Sequence, residues 1–436
     1  MKGLSSVLFD DPMCDALFGA DMEIKTMLRV EAALAKVQGA LGVIPPSAAD
    51  VLSQHLPLMD ISADELSAET ARNGVPVPAL LTAIRKRLPA GDSGQWLHWG
   101  ATSQDIIDTS LVVRLQHLSQ NLDTRLQLIC RALGHLAQTH ADLTMAGRSY
   151  GQIAAPTTFG ALVASWGAPL LRYRTRLAGL SGDLFKISLG GAVGNLSAMG
   201  GQGALVRAAL AAELGLVDPG ANWHAERDGI AMFASWLSGV AGSLSKFAGD
   251  VILLAQTGID EITIDGAGGS STMPQKQNPV RASLIVALAQ QSVALAAVVQ
   301  GAASHHQNRD GAAWFTEWLA LPALCSATSA ALRHALELAR EISPDPSAMR
   351  RNLHANGGMV FAEAISFGLS RSMPRPEAQA LVKKWCAEAA KGGEDILQCA
   401  KRQVPALDWD AVLGALSTGD SSQQAQDFAA RSLATI

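Results

Sequence analysis

A chain of 436 residues with 48% hydrophobic residues, 17% charged residues and a formal net charge of -5 is long enough for two or three domains around a large core. The acidic balance and the absence of a basic stripe exclude nucleic acid as a partner, because phosphate binding needs grouped Lys and Arg. So much apolar surface needs cover from the chain's own core or from other subunits, and a sizeable oligomer interface is expected.

In chain order, residues 1 to 15 lack the basic start and apolar stretch of a signal peptide. The five cysteines, Cys14, Cys130, Cys325, Cys386 and Cys399, show neither metal-ligand nor disulfide spacing. A reducing cytoplasm is therefore expected, with no metal site. Residues 1–96 read as an N-terminal helical domain, closed by the turn-rich "GDSGQWL" at 91–97. From Ile107 through Leu111, Leu115, Leu118, Leu122, Leu126, Ile129 and Leu133 to Leu136, apolar residues recur about every 3.6 positions, the α-helical repeat. Two further runs, Phe159 to Ile187 and Ile230 to Leu254, average about 3.5 and 3.4, spacings that favour long helices packed at shallow angles. The run "LIVALAQQSVALAAVVQGAA" (284–303) carries Gln290 and Gln291 at its middle, where a bilayer would penalise them, so it reads as a core helix and no membrane partner is expected. The turn "SPDPS" at 343–347 marks a second edge. The expected organisation is all-α: a central bundle of long helices at 97–343, flanked by the N-terminal domain and a C-terminal helical domain at 344–436. Alternating β-branched runs bounded by turn signals are not seen, which argues against a sheet-based enzyme fold.

Four polar, glycine-containing stretches interrupt or flank the long helices: "GATSQDIIDTS" (100–110), "GRSYGQIAAPTTFG" (147–160), "GGAVGN" (190–195) with "NWHAERDG" (222–229), and "GGSSTMPQKQNP" (268–279). In a bundle such stretches gather at helix ends, where side chains can converge on one ligand. The plainer alternative is that each only caps a helix. Ser103 is a natural N-cap for a helix starting at Gln104 or Asp105, and Asp105 suits that helix's positive end. Arg148 offers an anion clamp or is an ordinary surface residue, while Tyr150 and Gln152 offer a hydroxyl and an amide. His224 reads as structural or catalytic. The pair His305 and His306, with Arg309 nearby, would diverge by about 100° on a helix, which disfavours a metal site. In the last stretch Gly266, Gly268 and Gly269 loosen the backbone ahead of Ser270 and Ser271, Lys276 adds a cation, Asn278 an amide, and Pro279 would start the next helix. A positive field from Lys276 and that helix end would help a serine lose its proton. Neither a phosphate loop nor a nucleophile elbow is present.

"GGSSTMPQKQNP" closely resembles the GSSxMPxKxNP signature of the fumarase, aspartase, argininosuccinate lyase and adenylosuccinate lyase superfamily. "GATSQDIIDTS" resembles its TSxD segment and "GRSYGQ" its second segment, so the likeness spans roughly residues 5 to 370. Within the superfamily the chain is most similar to the bacterial branch of 3-carboxy-cis,cis-muconate cycloisomerases, through "MLRVEAALAKVQGALGVIP" (27–45), "LHWGATSQDIIDTSLVVRLQ" (97–116), "WHAERD" (223–228) and "WFTEW" (314–318). Tyr150 stands where adenylosuccinate and argininosuccinate lyases usually carry histidine. The chain departs from the muconate branch at Ile153, Gln275 and Gln277.

The resemblance implies a cofactor-independent intramolecular addition on a small tricarboxylate, in a homotetramer whose active sites collect segments from three subunits. It implies Ser270 as the residue that transfers the proton at carbon, with Lys276 and Asn278 holding charge. Thr102, Ser103, Arg148, Tyr150, Gln152, His224, Gln256, Ser271, Met273 and Arg309 would line the substrate. A superfamily lyase acting on adenylosuccinate, and a non-catalytic scaffold, are the alternatives.

Overall fold

The computed structural model describes residues 3–392, 394–416 and 418–434. The chain is all-α, with two small two-stranded sheets. Six helices matter for the site: α1 (Ala20–Ala40), α2 (Ser103–Thr139), α3 (Phe159–Leu184), α4 (Asp228–Leu254), α5 (Val280–Ala302) and α6 (Gly311–Glu341). The apolar repeats are what these helices bury. On α2 the stripe is covered from Ile107 to Leu133, and on α4 the spaced positions Ile230, Phe233, Leu237, Val240, Leu244, Phe247, Val251 and Leu254 are all buried. Both α4 and α5 are long and apolar enough to cross a membrane by length and composition, and 44% of the most apolar window of each is already buried in the protein.

Packing groups the chain into two units. The first comprises Met1–Thr124, Thr175–Ala241 and Leu288–Ala330. Its core holds Met27, Leu28 and Leu34 of α1, Leu52, Leu80 and Ile84 of shorter helices, and Ile106 and Ile107 at the start of α2. The "GDSGQWL" turn lies here as a short 3-10 segment, Ser93–Gln95. The second unit comprises Arg125–Arg174, Gly242–Ala287 and Ala331–Ile436. There Ile365, Leu369, Trp385, Ile396 and Trp409 form a core among short C-terminal helices.

The second unit also holds a feature that the apolar repeats do not encode. Residues read as a polar stretch form a hairpin, β1 (Thr144–Ser149) with β2 (Gln152–Thr158), in register Ser149 to Gln152. The turn residues Tyr150 and Gly151 both have positive φ, 52° and 73°, the backbone that matches hairpin twist. "SPDPS" supplies the end of a three-residue strand, Ile342–Pro344, and then Asp345, which caps the helix Pro346–Leu353 by accepting from Ser347 and Ala348 N–H.

Candidate active site

In the first unit α2 begins at Ser103 itself, one residue earlier than its capping chemistry suggests. Ser103 is therefore the first helical residue and not the cap. The side-chain bond at this helix start comes from Asp105, whose Oδ2 accepts the Thr102 N–H at 2.9 Å. Asp105 does much more than complement a dipole. It is fully buried, and it also accepts Gly190 N–H at 2.8 Å and Gly191 N–H at 2.9 Å, while His224 Nε2 lies 2.7 Å from Oδ1. Four donors on one carboxylate compensate its burial and pin "GGAVGN" and "NWHAERDG" to the start of α2. A side chain at 190 would crowd this junction, since a Cβ there would sit 2.6 Å from Asn222 Oδ1 and 3.1 Å from Gly194 Cα.

One turn further along α2, Asp108 receives the Arg227 guanidinium at 2.7 and 3.2 Å and the Trp314 indole N–H at 3.2 Å. The other edge of Arg227 grips Glu317 at 3.0 and 2.6 Å. Arg227 is wholly buried, and although burial opposes its charge, the two carboxylates hold its pKa above the usual arginine value. Burial pushes the Glu317 carboxyl up despite Arg227. Gln104 joins the two clusters: its amide donates to Asp108 and to the His224 carbonyl, both at 3.0 Å, and its oxygen accepts Arg309 Nε at 2.9 Å. Burial and the nearby Arg227 lower the basicity of His305. No cluster of His, Cys, Asp and Glu able to hold a metal occurs among the described residues.

Of the expected ligand-facing groups, this unit brings together Thr102, Ser103, Arg309 and His224. His224 is only 1% exposed and commits Nε2 to Asp105. Its Nδ1 is buried without a hydrogen-bond partner, so within this chain the imidazole acts through Asp105 and does not line an open surface. Asp105, Asp108 and Gln104 were not expected as site residues. Their signal is in the sequence: Asp105 and Asp108 are three apart, on one face of a helix.

In the second unit the glycine-rich loop is closed at its base by paired backbone bonds between Gly268 and Asn278, at 3.0 and 2.7 Å. Asn278 Nδ2 adds a bond to the Gly269 carbonyl at 3.3 Å, and a Cβ on Gly268 would lie 2.6 Å from Val280 Cγ2. Pro279 precedes α5 by one residue, and its carbonyl accepts the Ser283 N–H. The Ser270 hydroxyl oxygen accepts the backbone N–H groups of Thr272 at 3.4 Å and Met273 at 3.2 Å. The donors aimed at Ser270 are thus loop amides, whereas Lys276, Ser271 and Met273 stand exposed.

Arg148 is less free than a clamp would be. Its fork makes two bonds to the fully buried Glu261, at 2.7 and 2.8 Å, and Asn352 donates to the same carboxylate at 3.0 Å. Arg148 thereby anchors β1, and Tyr150, completely exposed, projects from the hairpin tip. Gln152 and Gln256 are exposed, Gln256 just beyond the end of α4.

A family described as lyase matches residues 30–294. A 3-carboxy-cis,cis-muconate cycloisomerase from Pseudomonas aeruginosa is 39% identical over 383 residues, covering 86% of this chain and 83% of that protein. Trans-aconitate decarboxylase 1 from Mycosarcoma maydis is 34% identical over 390 residues, 89% of this chain and 79% of that protein. The crystal structure of a 3-carboxy-cis,cis-muconate lactonizing enzyme from Pseudomonas putida superposes with a TM-score of 0.92 at 32% identity, covering 99% of each chain.

Proposed function

The chain belongs to this lyase family, and from that premise we propose that it catalyses the lactonising cycloisomerisation of 3-carboxy-cis,cis-muconate. One carboxylate oxygen of the substrate forms a bond to a carbon of a double bond. The displaced electron pair moves onto the neighbouring carbon and into the carboxylate attached to it, giving an aci-carboxylate. A proton then arrives at that carbon, the second double bond remains, and the product is a carboxymuconolactone. Atoms balance without a cofactor, because the nucleophile is already part of the substrate.

The observation that carries this reading is the pair of backbone N–H groups on Ser270 Oγ. Ser270 gives its proton to carbon, and the amides of Thr272 and Met273 stabilise the oxygen left negative. In the reverse elimination Ser270 is the base. Lys276 and Asn278 hold the extra charge of the aci-carboxylate. Ser271, Met273, Gln152, Gln256, Tyr150, Thr102, Ser103 and Arg309, gathered from different subunits of the assembly, line the substrate, with His224 and Arg148 one step behind, fixing Asp105 and β1.

The assembly in this proposal is a homotetramer with shared sites, in a reducing cytoplasm. Exposed apolar residues on α5, Val293 at 56% and Val298 at 44%, support an interface on that helix, and five cysteines outside any disulfide suit the compartment. The likeness to the decarboxylase from Mycosarcoma maydis favours a second reading, decarboxylation of an unsaturated tricarboxylate. Following diene absorbance together with CO₂ release separates the two: lactonisation removes the diene and releases no gas.

A further inference from the structure

In the first unit, the stretch leading into α2 is tied to α1 at two successive residues. Glu31 and Gln38, seven positions apart and so on one face of α1, are each 1% exposed. Gln38 Nε2 donates to the Trp99 carbonyl at 2.7 Å, and Glu31 Oε1 lies 2.6 Å from His98 Nδ1. His98 has a φ of 65°, a left-handed backbone uncommon for a residue with a side chain. Such strain persists where the surroundings over-determine it, and here two buried side chains do so.

Charge balance makes the pairing directional. Glu31 Oε2 is buried without a hydrogen-bond partner, and His98 is the ion-pair partner of this carboxylate. A buried carboxylate with one contact is costly unless that contact is a cation. Burial opposes the imidazolium, but the Glu31 carboxylate beside it and Asp105 on α2 outweigh burial and the opposing Arg85, so the basicity of His98 is raised. With Nδ1 committed to Glu31, Nε2–H is the remaining donor of a side chain that is 14% exposed.

We propose that Glu31 and His98 form a carboxylate-receiving dyad, in which Glu31 positions the imidazole and His98 Nε2–H binds one carboxylate of the substrate, four residues ahead of Thr102. The dyad rests on the reading of the substrate as a tricarboxylate. It brings to the α2 start a cation that is independent of the Ser270 loop.

The test pairs turnover with binding of tricarballylate, a saturated tricarboxylate that cannot lactonise. Glu31→Gln keeps the shape of the side chain and removes its charge. KM at pH 7 should rise about tenfold with kcat changed less than about threefold, the loss expected for one charge-assisted hydrogen bond. In the parent protein kcat/KM should fall as pH rises and the His98 cation is lost, and in the variant this fall should begin at lower pH. His98→Asn, which tolerates the left-handed backbone, should weaken tricarballylate binding about tenfold in calorimetry. An unchanged pH profile in folded Glu31→Gln, or unchanged tricarballylate affinity in His98→Asn, overturns the dyad. Parent protein that binds tricarballylate through His98 yet leaves the muconate untouched overturns the assigned reaction and leaves the dyad standing.

Discussion

The polar centre of the first unit and the glycine-rich loop of the second spend their polar groups in opposite ways. Around Asp105, Asp108, Arg227 and Glu317 the charges are buried and saturated with partners. In the loop from Gly268 to Asn278 the bonds run between backbone groups or join a backbone group to Ser270 or Asn278, and Ser271, Lys276 and Met273 reach solvent. Saturated buried charges fix geometry but have little left to offer a ligand. A loop closed at its base and braced by its own backbone keeps Ser271, Lys276 and Met273 available. Scaffold and chemistry thus fall on different residues, and substitutions should separate stability from turnover.

The largest stability effect is expected from Arg227→Ala. It leaves Asp108 and Glu317 buried without their cation, a loss of about 3–5 kcal/mol readable by denaturant unfolding. Asp105→Asn comes next. An amide cannot satisfy four donors, so a loss of about 2–3 kcal/mol and faster proteolysis within 188–195 should follow. Ser270→Ala should sharpen the contrast: unfolding free energy within about 0.5 kcal/mol of the parent, with turnover down about 10²–10⁴-fold. A Ser270→Ala protein that unfolds as readily as Arg227→Ala would break the comparison.

The smallest effect is a pH dependence. Asp310 accepts the N–H groups of Ala313, Ala312 and His306 at the start of α6 and lies 2.6 Å from the His306 ring Nδ1, and the Ala313 N–H and the His306 ring do most to lower its carboxyl to about 2. Because the folded value is depressed, the stabilisation is complete above the unfolded carboxylate value, about 3.9, and is lost as pH falls toward about 2. The urea midpoints of parent and Asp310→Ala should therefore differ above pH 4 and converge toward pH 2.

The helices were legible because burial writes itself into spacing: the apolar positions recurring every three or four residues from Ile230 to Leu254 are the buried stripe of α4. The hairpin was not, because β1 and β2 carry small and polar residues without strict alternation, and its strongest signal is a two-residue turn occupied by tyrosine in place of the usual asparagine. Ser270, Lys276 and Asn278 could be read from one contiguous segment. The roles of Asp105 and Arg227 could not, since partners that decide them lie 85 to 119 residues away, Gly190 and His224 for Asp105, Asp108 and Glu317 for Arg227. Arg148 was legible as an available cation, but Glu261, 113 residues on, decides how that charge is used.

The most direct measurement is incubation of the purified protein with 3-carboxy-cis,cis-muconate, following diene absorbance and CO₂, with Ser270→Ala alongside. Loss of the diene with formation of a lactone, no gas, and a Ser270→Ala protein that is folded but inactive is the predicted result. A diene that persists with the parent protein, or Ser270→Ala that lactonises at the parental rate, would contradict it.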